Sequence, residues 1–204
     1  MFTKQIEKFI KEHPVFYTED IQDSIGILRE QRAIFNTELS RFEKKGHIKR
    51  LSRGIYVVPI QSCFGTILPN ESTIAKKIYL ENNNGFITGP TFLNHIGLST
   101  FLPQKNYIKT NRYNYKSNLS FYVIEAPRIK IYAENLKYIQ LLDGIEDTEK
   151  YAIDCKQPDR LLYQYIVNNK LDTTKLSILA YKYYKKDTLK KYMKIMEEFY
   201  ETTL

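Results

Sequence analysis

Apolar residues recur at helical spacing up to Gly46 and alternate in short runs after it, and this single change of period limits what the N-terminal part of the chain can become. Phe2, Ile6, Phe9 and Ile10 share one helical face, so residues 3–12 are expected to form an amphipathic helix. His13-Pro14 closes it, because the residue before a proline is pushed out of the helical region. Thr18 is the expected N-cap of a second helix, with Glu19 and Asp20 in a first turn that favours acids. Its face is Ile21, Ile25 and Leu28, and Gly26 leaves its end short. A third helix over about residues 30–45 buries Phe35, Leu39 and Phe42 and stops at Gly46. Residues 48–59 then read as two short strands turning near Ser52-Arg53-Gly54, closed by Pro59. Three helices followed by a basic hairpin predict a winged helix-turn-helix.

Charge gives this module a partner. The chain has 31 Lys and Arg against 23 Asp and Glu, a net charge of +8, which favours an anionic partner. The excess is concentrated. Residues 29–53 carry eight bases against three acids, whereas residues 1–28 are net acidic and residues 133–204 balance. Opposite the buried stripe of the third helix lie Ala33, Thr37, Ser40 and Lys44, flanked by Arg29, Asn36 and Arg41. Small and hydrogen-bonding side chains at the centre, with cations at the margins, suit a helix entering a major groove. Asn36, Thr37, Ser40 and Arg41 are the expected base readers. Arg29 and Arg32 belong to the same DNA-binding set, and Lys44, Lys45, Lys49, Arg50 and Arg53 are expected to meet phosphates. The alternative is a three-helix module that docks a protein through a solvated polar face.

The run Leu39-Ser40-Arg41-Phe42, the pair Lys44-Lys45, Gly46, and then Arg53-Gly54-Ile55-Tyr56 with Pro59 nearby resembles a known family. It is similar to the N-terminal winged helix of AbiE-type antitoxins (the AbiEi family) of type IV bacterial toxin–antitoxin systems, with Phe42 in place of the usual Leu. A second segment, Asn94 with Gly97-Leu98-Ser99-Thr100, Pro103, and later Thr110-Asn111, resembles the start of that family's larger domain. Pro90-Thr91-Phe92-Leu93 stands where small residues are usual there, and Phe101 replaces a common Gln. The resemblance covers roughly residues 1–125. It implies an antitoxin that represses its own operon by binding inverted repeats in double-stranded promoter DNA. It also implies that a nucleotidyltransferase toxin is counteracted without a stable complex, the larger domain carrying that activity.

The rest of the chain is read from its own residues. Residues 60–70, with Pro59, Gly65 and Pro69 spaced along them, form the expected boundary. The expectation is therefore an α+β protein: a winged helix-turn-helix over 1–60 and an antitoxin domain over 61–204, mixed sheet and helices first and helical from about 133, ending in a helical bundle. Ser72–Asn82 and Gly89–His95 are expected helices. Tyr107–Thr110, Leu119–Ala126 and Ile129–Tyr132 are expected strands. Helices follow from Pro158, over Leu176–Tyr184, and after Asp187, the last with Leu189, Met193, Met196 and Tyr200 on its apolar face.

Lys182, Lys186, Lys190 and Lys194, spaced by four, are a candidate secondary nucleic-acid contact, since like charges at that spacing repel unless an anion is near. The bland reading is a solvated lysine face. Lys105–Lys116 interleaves bases and aromatics, so single strands stacking on Tyr113 and Tyr115 are a further possibility.

No enzyme is expected. His13, His47 and His95 occur singly, and Cys63 and Cys155 lie far apart without ligand spacing, which disfavours a metal site or a disulfide framework. There is no His-Glu-x-x-His helix, phosphate-binding loop or Gly-x-Ser-x-Gly elbow. Asp143, Glu146, Asp147 and Glu149 are expected to lie in a polar turn, and no cofactor is expected. No stretch approaches the roughly 18 apolar residues of a membrane helix, and the N-terminus lacks a signal-peptide core, so a cytoplasmic protein without a membrane partner is expected. Two rivals remain at this point: an interaction protein that neutralises a toxin by direct binding, and an RNA-binding regulator.

Overall fold

The computed structural model describes residues 2–114 and 119–200 and has mixed α+β architecture. The N-terminal helices form as the apolar spacing dictates. Helix α1 (Thr3–Glu12) buries Ile6 and Phe9, α2 spans Thr18–Ser24, and α3 (Arg32–Lys44) follows a single 3-10 turn, Arg29–Gln31. Gly46 ends α3 at φ +76°, a conformation that costs glycine little. The hairpin is β2 (Lys49–Ser52) and β3 (Ile55–Val57), with an irregular register between Arg50 and Ser52. A further strand, β1 (Val15–Tyr17), pairs antiparallel with β3 and completes a sheet of order β1-β3-β2. Helix, strand, two helices and a hairpin in that sheet order make a winged helix-turn-helix. Its core is Ile6, Phe9, Phe16, Ile21, Phe35, Leu39, Phe42, Ile48 and Tyr56.

Two details of this unit differ from the sequence reading. The cap of α2 works from the other end: Asp20 accepts the Tyr17 backbone N–H at 3.1 Å, and Thr18 is already helical. Leu28 is 57% exposed rather than buried, because α2 stops at Ser24 and the chain turns at Gly26.

The chain divides into two compact units, the first reaching Ile78 with Asn114 added, the second taking Tyr79–Tyr113 and Leu119 onward. The expected boundary near residue 60 thus falls inside the first unit. The segment rich in Pro and Gly is a hairpin, β4 (Ile60–Ser62) and β5 (Gly65–Ile67), rather than a linker. Helix α4 (Glu71–Ala75), capped by Asn70, then runs into a π-helical turn, Lys76–Leu80. Lys77 Nζ lies 2.8 Å from Asp20 Oδ2, and the Tyr17 hydroxyl donates to the Ile78 carbonyl at 3.1 Å.

The second unit has a sheet of order β6-β7-β8, formed by Gly85–Thr88, Asn106–Thr110 and Tyr122–Glu125. The first pair is antiparallel and the second parallel. Helices α5 (Gly89–His95), α6 (Leu136–Tyr151), α7 (Pro158–Asn168), α8 (Thr173–Tyr183) and α9 (Lys186–Tyr200) follow, and all contribute to one apolar core. Ile129–Tyr132 is not a strand. The Asn111 side chain takes up both backbone groups of Ile131, donating to its carbonyl at 2.8 Å and accepting its N–H at 2.9 Å. On α9 the buried residues are Thr188, Tyr192 and Ile195, one position off the expected stripe, and Met193 is 46% exposed. Leu189 and Met196 pack at the margin of the core, and the Tyr200 side chain lies outside the described residues.

Candidate nucleic-acid interface

The third helix has one buried face and two exposed margins. Phe35, Glu38, Leu39 and Phe42 are buried, Glu38 accepting the Phe2 backbone N–H at 2.9 Å. Arg32, Asn36 and Ser40, each four residues apart, form one edge. That edge lines a groove of about 940 Å³ whose other wall is the hairpin, with Arg50, Ser52, Arg53, Gly54 and Tyr56. Burial pushes the Tyr56 phenol above its ordinary value, against the pull of the Arg50 guanidinium, so at neutral pH it is an uncharged group at the groove.

Of the expected site residues, the structure therefore brings Arg32, Asn36, Ser40, Arg50 and Arg53 around one groove. Thr37 and Lys44 lie on the outermost face of α3, and Thr37 spends its hydroxyl proton on the Ala33 carbonyl at 3.0 Å. Arg41 falls on the far margin of the helix, at the same face as exposed Ile34. Arg29, Lys45 and Lys49 are exposed outside the groove. All eight bases from Arg29 to Arg53 are exposed, and among the described residues none of them stands in an ion pair. The groove also takes Thr18, Glu19 and Gln22 from α2, which the sequence reading left out. Gln22, next to Ile21, is only 8% exposed, a burial that the sequence does not show.

The secondary contact is not one row on one helix. Lys182 ends α8, and only Lys186, Lys190 and Lys194 follow one face of α9. Lys190 lies 4.0 Å from Asp187, which relieves part of the repulsion that suggested an anion. Residues Asn106–Thr110 of the aromatic–basic segment form the central strand of the second sheet, with Tyr107 half-buried and Lys109 turned to Asp143. Tyr113 is 47% exposed, and Tyr115 lies outside the described residues.

The acidic residues at 143–149 are not in a turn but in the C-terminal half of α6. Asp143 is 1% exposed and takes Lys109 Nζ at 2.8 Å on one oxygen and the Tyr184 hydroxyl at 2.8 Å on the other. Arg128 pairs with Glu146 and stacks over the Tyr184 ring at 5.0 Å. Burial raises the Asp143 carboxyl, with Lys109 opposing it most strongly. Burial also pushes Asp147 up to about 6, Lys109 opposing and Asp143 and Glu146 adding to the rise. Among the described residues no cluster of His, Cys, Asp and Glu is arranged to hold a metal ion, and no helix is long and apolar enough to cross a membrane.

Fold and groove define a winged-helix protein carrying a second, sheet-and-helix unit. The chain belongs to DUF6088, a family of unknown function whose model matches residues 5–113. No curated protein matches it.

Proposed function

We propose that the N-terminal unit binds double-stranded DNA, with α3 in the major groove and the β2–β3 wing on the backbone beside it. The observation that carries this reading is the set of eight exposed bases, none of them in an ion pair among the described residues, spread over α3 and the wing around Asn36 and Ser40. Cations outside ion pairs gain most from phosphate, because they give up no carboxylate partner and release the counterions of the duplex. Asn36 and Arg32 on the groove edge have the donor and acceptor sets for base edges.

The biological role we infer is a cytoplasmic, DNA-binding antitoxin that represses its own operon at inverted repeats in the promoter. It opposes a nucleotidyltransferase toxin through the second unit, without a stable complex. This part rests on the similarity of residues 35–59 and 87–111 to AbiEi antitoxins. Both segments fall within the span matched by the family model.

A mobility shift of the chain's own upstream promoter DNA against a random duplex, across a salt series, tests the DNA step. Tight specific binding in two steps is expected, with a slope that counts phosphates. Equal weak binding to both duplexes refutes it. Co-expression of the chain with a nucleotidyltransferase toxin tests the antitoxin step: growth rescue is expected, and recovery of a stoichiometric complex would replace it with direct neutralisation.

A further inference from the structure

From Gly54 to Asn70 the chain has no charged residue, although 26% of its residues are charged. The centre of this stretch is the β4–β5 hairpin. Ile60 and Ile67 are cross-strand partners, 63% and 51% exposed, and Phe64 at the turn is 95% exposed. Exposed strand edges are ordinarily guarded by charged side chains, because their unpaired backbone groups template other strands. Here no such guard exists. Among the described residues β4 and β5 pair only with each other, so both outer edges are open. The hairpin is also shaped in advance. Ser62 Oγ donates to the Gly65 carbonyl at 2.9 Å and accepts the Phe64 N–H at 3.2 Å, and the Thr66 hydroxyl donates to Gln61 Oε1 at 3.0 Å.

The geometry points to a self-association surface, on which the β4–β5 hairpin pairs with the same hairpin of a second copy across a two-fold axis. A second copy fits for three reasons. An antiparallel strand edge is complementary to itself, so one two-fold operation pairs the same edge of both copies. Each copy carries a net charge of +8, so two copies repel through their basic surfaces and approach most easily through an uncharged one. An anionic partner would instead seek the bases. The third reason rests on the DNA reading above: an inverted repeat presents its half-sites with the same two-fold symmetry. The hairpin leaves β3 at the end away from the wing turn, so pairing there leaves Arg53 free. The patch is small beside the about 800 Å² per partner of a standard interface, so the dimer dissociates on dilution.

Sedimentation velocity of the full chain, without DNA and over a dilution series, tests this. Reductant keeps the exposed Cys63 at the turn from linking copies covalently. A monomer–dimer equilibrium is expected, moved to monomer by Ile60→Lys, Phe64→Glu or Ile67→Lys. These side chains are more than half exposed, so circular dichroism and the thermal midpoint stay as in the parent. A monomer at the highest soluble concentration overturns the proposal. So does a dimer that survives all three substitutions, and so does growth beyond a dimer, which signals open-ended edge pairing. Because DNA is absent from the assay, loss of the dimer leaves the DNA reading standing, and failure to bind operator leaves the dimer standing.

Discussion

Asn36 sits at the middle of the Arg32–Ser40 edge, facing the wing across the groove, and its amide can pair with adenine in a bidentate way. Asn36→Ala is expected to cost about 1–3 kcal/mol on operator DNA and little on random duplex, read by mobility shift. Lys49→Ala, outside the groove, should weaken both duplexes alike and lower the salt slope by about 1. Asp147 makes a pH prediction. Its pKa is pushed up to about 6 in the folded chain, so the folded state holds the proton more tightly than the unfolded one. Stability then falls as pH rises from about 4 through 6. Asp147→Asn should leave the thermal midpoint nearly unchanged at about pH 4 and raise it above pH 7, by about 2–4 °C per kcal/mol regained. Lys109→Met removes one partner of a pair whose carboxylate is buried, and should cost about 3 kcal/mol at neutral pH, measured by denaturant unfolding. Little of this was legible in the sequence. The bases of α3 and the wing were, because they cluster along the chain. Lys109 and Asp143 were not, because 34 positions separate them and only the packing of β7 against α6 brings them together.

At the level of elements, what the sequence disclosed followed the length of the pattern. Helix α1 and the hairpin β2–β3 carry enough periodic residues to be placed directly, and α5 and α7 open on Pro90 and Pro158 as the missing N–H of proline allows. Strand β1 has three residues, all buried, and so shows no alternation to detect. The β4–β5 hairpin was hidden behind residues that also mark linkers, and α9 was misplaced by one position because apolar and aromatic residues occupy adjacent stripes. Strand β6 opens on Gly85, where a Cβ would come within 2.4 Å of the Tyr79 carbonyl oxygen and 2.7 Å of the Lys109 carbonyl oxygen. Backbone on two sides leaves no room to relax. Gly85→Ala should therefore destabilise the second unit by about 1–3 kcal/mol or more, seen as a lower denaturant midpoint. The Thr110-Asn111 pair that drew attention as a motif is structural. The Thr110 hydroxyl meets the Tyr79 and Asn84 carbonyls, and the Asn111 amide holds Ile131.

For the molecule as a whole, the winged helix owns a closed core drawn entirely from residues up to Val58. A fragment ending at Ile78 is expected to fold cooperatively and to keep the salt slope of the full chain on DNA, checked by thermal circular dichroism and mobility shift. The sequence indicated two parts but put their border some eighteen residues too early, since the contacts of Lys77 with Asp20 and Ile78 with Tyr17 are invisible to local pattern. The sheet order β1-β3-β2 has a consequence in time. Once Val57 has left the ribosome all three strands exist, and the winged-helix unit can close while the second unit is still being synthesised at about 5–20 residues per second. The second unit waits longer, because β7 and β8 pair in parallel and α9, the last helix among the described residues, is part of its core. An incomplete chain can thus carry a finished winged helix before its second unit exists.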